Sequence, residues 1–543
     1  MKKPNFGAGV LAAAAATACA CAHAETFSNE YFAGSFDSTL SLGTGIRTKA
    51  PSGALIIEGN QGGPAGQLAI TSAMGDQGDL NYAKNDAFTS YLKGSHELLL
   101  KFPENITAMA RVSWLRDFTA ARTTGWTSAT TPPGLDGNLA DDARSDLKFK
   151  ARLLDLWVSK KFEIDDQSVR VRVGNQVISW GESLFVPGGI NVTNAVDVMR
   201  LSQPGTQLKE AILPAPIISA AAGLGNGLNA EAYVQLGWNA NYMPPTGSYW
   251  SVSNGLGAGH DAYGLQEGKA RNSGQWGLSL RYQPQGTQLN LGAYVINYHD
   301  KSPTFTFNNP NGAMGWVYGE DRKLYGLSAN FPLGDWAIGG EVSYRPKDAV
   351  TLNAANGCTS QNGTCAVDTA RVQMALTALF SLSPDASPTL LKVLGADSGT
   401  LLAEAVAIRF PNLKSQYGDD LIAAGGWGWG QEKSATGVPL AVGSKNSSGF
   451  NFDFSWVYDG TLIPGWQVVP EVYYFRALSG RTPNGAATFM QGASSANYVV
   501  SFIQNPAKWQ FAINYARFMG GDSAFDQPYR DRDFIGLNLS RNF

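Results

Sequence analysis

Apolar and polar residues alternate along this chain in short runs. Phe450, Phe452, Phe454, Trp456 and Tyr458 are separated by Asn451, Asp453, Ser455 and Val457. Trp276, Leu278, Leu280 and Tyr282 alternate with Gln275, Gly277, Ser279 and Arg281. Trp509, Phe511, Ile513 and Tyr515 alternate with Gln510, Ala512 and Asn514. A period of two sends the two sets to opposite faces of a β-strand. Eighteen such stretches are predicted, from 35–48 to 531–543. Tight turns, such as Pro103-Glu104, Leu333-Gly334 and Asn505-Pro506, alternate with long loops, such as 49–85, 180–213, 240–273 and 411–446.

A soluble sandwich alternates as well, so the position of the aromatics decides. Trp276 and Tyr282 bracket one apolar face, and Trp336 and Tyr344 bracket another. Aromatics at both ends of an apolar stripe mark the two interfaces of a membrane barrel. The predicted fold is all-β: a single transmembrane antiparallel barrel of eighteen strands with an infolded plug-like loop and few short helices. Sixteen strands is the second choice, if 214–222 and 226–239 fold differently. One short-side connection, 384–398, is long, and its apolar core predicts a short periplasmic helix.

The ends agree with this. Lys2 and Lys3, an Ala-rich run and Ala22-His23-Ala24 read as a signal peptide over 1–24, leaving 25–543 as the barrel of a Gram-negative outer membrane. Beyond it no apolar run of eighteen residues predicts a helical span. The last strand alternates to a terminal Phe543, resembling the segment read by the barrel-assembly machinery. Arg541 departs from the usual apolar choice there. Charged residues are only 16% of the chain, which suits a surface in contact with lipid. The net charge of −3 gives no electrostatic case for nucleic acid. Cys358 and Cys365, seven positions apart in a polar segment, predict a disulfide that staples a loop.

The densest unusual segment runs from Gly174 to Pro214. Asn175, Gln176, Trp180, Glu182, Ser183, Asn191, Asn194, Asp197 and Arg200 are its candidate lumen or gate residues. Two readings stand: a loop folded into the lumen over 180–213, or a well-packed extracellular loop. A wide barrel needs something to fill it, which favours infolding. Arg170, Arg172, Arg281, Glu341, Arg345, Asp453 and Glu471 fall on the predicted lumen face, and their mixed sign fits either a plugged barrel with an ion-paired interior or a general diffusion porin with opposed charges. Asp76, Asp79 and Asp86 lack the spacing of a calcium loop and read as a solvated acidic loop. No Cys/His cluster predicts a metal, and no cofactor is expected. Beyond residue 24 there are three histidines, His96, His260 and His299, and no G-x-S-x-G elbow, so no enzyme is expected.

The run Gly174 to Asn194, the segment Gly75-Asp76-Gln77-Gly78-Asp79-Leu80-Asn81-Tyr82 and the early strand Gly34 to Leu40 resemble the family catalogued as domain of unknown function 1302. The resemblance implies an outer-membrane barrel, distantly similar to long-chain fatty-acid transporters of the FadL type. It implies passive transport of a hydrophobic small molecule such as a steroid, hydrocarbon or fatty-acid-like compound. It also implies a periplasmic lipoprotein-like partner and an RND-type inner-membrane protein. The alternatives are a general porin for small polar solutes and an export component working with such a pump.

Overall fold

A computed structural model describes residues 25–52, 55, 76–123, 138–164, 167–353, 357–423, 442–522 and 526–543. The predicted signal peptide and Gly75 lie outside these residues. Eighteen strands form one closed antiparallel sheet: β1 Ala33–Arg47, β2 Ala87–Phe102, β3 Ile106–Asp117, β4 Phe149–Ile164, β5 Gln167–Gln176, β6 Ala215–Gly225, β7 Leu228–Gln235, β8 Gln275–Tyr282, β9 Asn290–Tyr298, β10 Arg322–Leu333, β11 Trp336–Thr351, β12 Ala366–Leu382, β13 Ser398–Arg409, β14 Asn446–Ile463, β15 Trp466–Ser479, β16 Ala493–Gln504, β17 Trp509–Gly520 and β18 Phe534–Asn542. Each strand pairs with its sequence neighbours. The ring closes where β1 meets β18, with Leu42 opposite Leu539 and Ile46 opposite Ile535. The pair β6 and β7 lies within the sheet, which removes the sixteen-strand alternative. A short strand that the pattern did not predict, Glu25–Ser28, folds back on Ala33–Phe36 of β1.

The alternation sorts as expected. Leu278, Leu327, Leu376 and Ile513 are exposed on the outside, while Ser279, Ser328, Gln373 and Glu341 are buried inside. Aromatics ring both edges of the belt. Tyr325 faces Tyr344 and Tyr498 faces Tyr515 toward the long loops. Trp336 packs on Phe380 and Phe502 on Phe511 toward the short turns. Near that edge the Arg541 guanidinium lies 5.0 Å from the Trp509 ring centre and 4.8 Å from that of Phe543, so its charge sits among interfacial rings. A closed sheet has no unpaired edge, and an apolar belt between aromatic rings is how such a sheet crosses a bilayer.

The helix Pro388–Leu394 forms on the short-turn side, within the segment predicted for it. Cys358 and Cys365 are bonded and fully buried. The Asp76 and Asp79 reading is corrected, since both are buried and ion-paired. Asp79 meets Arg47 at 2.6 Å, and Asp76 pairs with Arg532. Arg47 also reaches Asp531 at 3.3 Å. Two guanidiniums brought from β1 and the last loop compete successfully with water for these carboxylates.

Candidate functional site

The chain from 177 to 214 leaves β5 at the long-loop end and turns into the lumen. On one side its glycines lie against Glu341 of β11. A Cβ at Gly181 or Gly189 would overlap the Glu341 carboxylate. Glu341 instead accepts hydrogen bonds from the backbone N–H groups of Glu182 at 2.7 Å and Ile190 at 3.0 Å. Glu404 of β13 accepts from the N–H groups of Leu184 at 3.1 Å, Phe185 at 2.6 Å and Val186 at 2.9 Å, and from the Ser183 hydroxyl. Two carboxylates on the wall therefore satisfy donors that a buried irregular loop cannot pair by itself.

The same segment touches the opposite wall. The Tyr91 hydroxyl of β2 donates to the Pro204 carbonyl at 2.6 Å, and Lys93 bonds Glu210 at 2.7 Å. Gly205 lies against Asn538 of β18. Contacts with β11 and β13 on one side and β2 and β18 on the other mean that the segment crosses the lumen.

The predicted residues take distinct places. Trp180 is buried, donates to Glu231 at 2.9 Å and packs on Tyr233 and Tyr294. Glu182 accepts from Asn330, and Asn194 fastens to the backbone of Ile178. Asp197 caps the helix Val198–Ser202 and pairs with Arg152 of β4. Arg200 is buried on that helix, and Asn191 lines the cavity described below. Gln176 points inward and bonds the Ile217 carbonyl at 2.8 Å. Asn175 does not face the lumen. A period of two puts it on the lipid-side row of Val169, Val171 and Val173, where its amide bonds the Leu154 carbonyl.

Of the predicted lumen charges, Glu341, Arg345, Asp453 and Glu471 are buried. Arg345 pairs with Asp348 at 3.2 Å and donates to the Gly188 carbonyl. Among the described residues Glu341, Asp453 and Glu471 make no ion pair, so the interior is only partly the ion-paired network expected. Arg172 stacks on Trp157 at 4.1 Å. Arg170 and Arg281 line a recess of about 450 Å³ at the short-turn mouth, with Glu231 beside them.

Sequence reasoning missed three features. The first is Glu404, whose acceptor role needs a partner 220 positions away. The second is the loop 236–274, which carries Tyr249 and Trp250 inward until each is 1% exposed. There Tyr249 stacks on Phe88 at 3.8 Å and Trp250 packs on Phe534 at 5.4 Å. The third is an apolar patch on the inner wall, formed by Val406, Ile408, Tyr473, Phe475 and Phe518. Phe185 packs against it, 5.6 Å from the Tyr473 ring centre.

Beside the apolar patch lies a polar cavity of about 190 Å³. Pro187 and Gly188 form one wall, and Asp300, Lys301, Arg345, Asp348 and Arg371 line the others. Burial pushes the Asp300 carboxyl up to about 6 and the Lys301 ammonium down to about 7.

The histidines carry no catalytic arrangement. His96 Nδ1 lies 2.9 Å from the Ser38 hydroxyl on the lipid side, but its Nε2 accepts from the Trp114 indole N–H at 3.0 Å. That bond leaves the proton on Nδ1, so Ser38 faces a donor rather than a base. His260 bonds the Gly257 carbonyl and His299 the Ser273 carbonyl.

The family described as "Protein of unknown function (DUF1302)" matches residues 5–543. No curated protein matches the chain. Among solved structures, Acinetobacter baumannii OccAB1 is similar over 96% of this chain and 98% of its own, at 11% identity and a TM-score of 0.44. Pseudomonas aeruginosa OccK1 (OpdK) is similar over 94% and 98%, at 10% identity and a TM-score of 0.40.

Proposed function

Since the chain belongs to the family described as protein of unknown function (DUF1302), whose name supplies no activity, we propose from the geometry that it is a gated outer-membrane passage for a hydrophobic small molecule. One observation carries this reading: the inner wall holds an apolar patch of Val406, Ile408, Tyr473 and Phe475 where membrane barrels are ordinarily polar. Leu184, Phe185 and Val186 lie over that patch, held by Glu404. Their withdrawal uncovers an apolar path, and apolar contact offsets the solute's cost of leaving lipid or the cell surface. In this reading transport is passive.

A general porin for small polar solutes is the second reading, favoured by the charged cavity beside Gly188. Uptake by a deletion strain separates the two. Loss of uptake of apolar compounds, restored by the intact gene, is expected. Normal uptake of every apolar compound with impaired uptake of small polar ones would transfer the function to the second reading. A periplasmic partner and an RND-type pump belong to the same proposal, and co-purification from crosslinked membranes tests them.

A further inference from the structure

The polar cavity and the apolar patch share one turn of the crossing segment. Phe185 and Val186 lie on the patch, and Pro187 and Gly188 line the cavity. Two to three residues span roughly 10 Å at most. The two surfaces also meet on the wall, where the Arg371 guanidinium sits 6.0 Å from the ring centre of Phe410, a member of the apolar cluster.

The charges around the cavity do not cancel. Lys301, Arg322, Arg345 and Arg371 face Asp300, Asp348 and Asp368. Arg322 bridges Asp300 at 3.1 Å and Asp368 at 2.6 Å. Arg345 and Arg371 then share Asp348, at 3.2 Å and 3.5 Å. Lys301 bonds only neutral oxygens, those of Asn239 and Gln275, both at 3.3 Å. The Nε atoms of Arg345 and Arg371 are buried without an acceptor. A site with one cation in excess and unused donors is built for one more anion. Its size suits a carboxylate with a few waters.

We propose that the transported hydrophobe is an anionic amphiphile, whose carboxylate enters this cavity between Lys301, Arg345 and Arg371 while its apolar chain lies on the wall of Ile408, Phe410 and Phe475. This rests on the hydrophobic-passage reading above.

The test uses the full-length barrel in lipid nanodiscs and three ten-carbon probes: decanoate, decanol and decyltrimethylammonium, each corrected for partition into empty nanodiscs. Decanoate is expected to bind about tenfold more tightly than decanol, the value of one charge-assisted hydrogen bond. Arg371→Gln should abolish the preference for decanoate over decanol, while Arg371→Lys retains part of it. Arg345→Gln serves as the second variant, and slow migration of the unheated barrel confirms folding of each. Equal binding of decanoate and decanol by the native protein overturns the anionic head but leaves the hydrophobic passage standing. No binding of any ten-carbon probe, with acetate bound instead, overturns the passage reading itself.

Discussion

In the proposed gate, closure turns on Gly189 and Glu404. Gly189 packs its backbone against Glu341, and any side chain there displaces the crossing segment. Gly189→Ala is expected to open the barrel, read as larger or more frequent conductance steps in planar bilayers. Overpacking of this kind costs about 1–3 kcal/mol, enough to shift a closed state toward an open one. Glu404→Gln keeps the shape but loses the charge that draws three N–H groups, and each charge-assisted bond is worth roughly 1.5–3 kcal/mol. It should act in the same direction. Traces identical to the native protein in both variants would remove the gating role of the segment. Gly189 is legible in the sequence only as part of the unusual segment from Gly174 to Pro214. Glu404 was invisible, because an acceptor for loop N–H groups looks like any other lumen-facing polar residue of a strand.

At the scale of elements, the strands were legible and the loops were not. Alternation is local physics: β8 and β17 announce their lipid faces through Trp276, Leu278, Phe511 and Ile513. The inward turn of Tyr249 and Trp250 depends on Arg532 and Tyr529, which bond the carbonyls of Tyr249, Ser251 and Trp250 from the far end of the chain. No periodicity encodes that. The disulfide-bonded loop 357–365 shows the same division. Its disulfide closes a short ring, worth about 2–3 kcal/mol in the chain-entropy model. Its two sulfurs are buried in the apolar cluster with Leu352 and Ile422. Cys358→Ser with Cys365→Ser should speed proteolysis around 357–366 while the barrel still resists unfolding in unheated detergent. Loss of the barrel itself would show that the staple supports more than its loop.

Across the whole molecule, parts distant in sequence meet in one buried ion-paired cluster on the long-loop side. Arg47 of β1 and Arg532 of the last loop hold Asp76, Asp79 and Asp531, with Tyr249 and Tyr529 packed beside them and Lys49 paired to Asp533 at 2.9 Å. Two guanidiniums face three carboxylates, so one carboxylate is in excess within a buried cluster. Burial drives the Asp76 carboxyl up to about 7 and that of Asp531 up to about 8, each opposed by the guanidiniums and raised further by Asp79. The native state thus binds a proton more tightly than the unfolded chain, whose aspartates titrate near 4. Stability of this cluster therefore falls as pH rises from about 4 through 8, and it is least where both groups are ionised. Amide exchange at 76–82 and 526–533, corrected for its intrinsic pH dependence, should show weaker protection at pH 9 than at pH 6. Asp76→Asn removes the excess charge and should flatten that difference. Protection that rises with pH, or an unaltered slope in Asp76→Asn, would contradict proton uptake by this cluster. In the proposed gated passage the crossing segment and this cluster act as two closures at different depths, so opening for a solute requires both to yield. A measured conductance that increases with pH in the native protein, and increases further with Gly189→Ala, is the joint outcome expected of two closures in series.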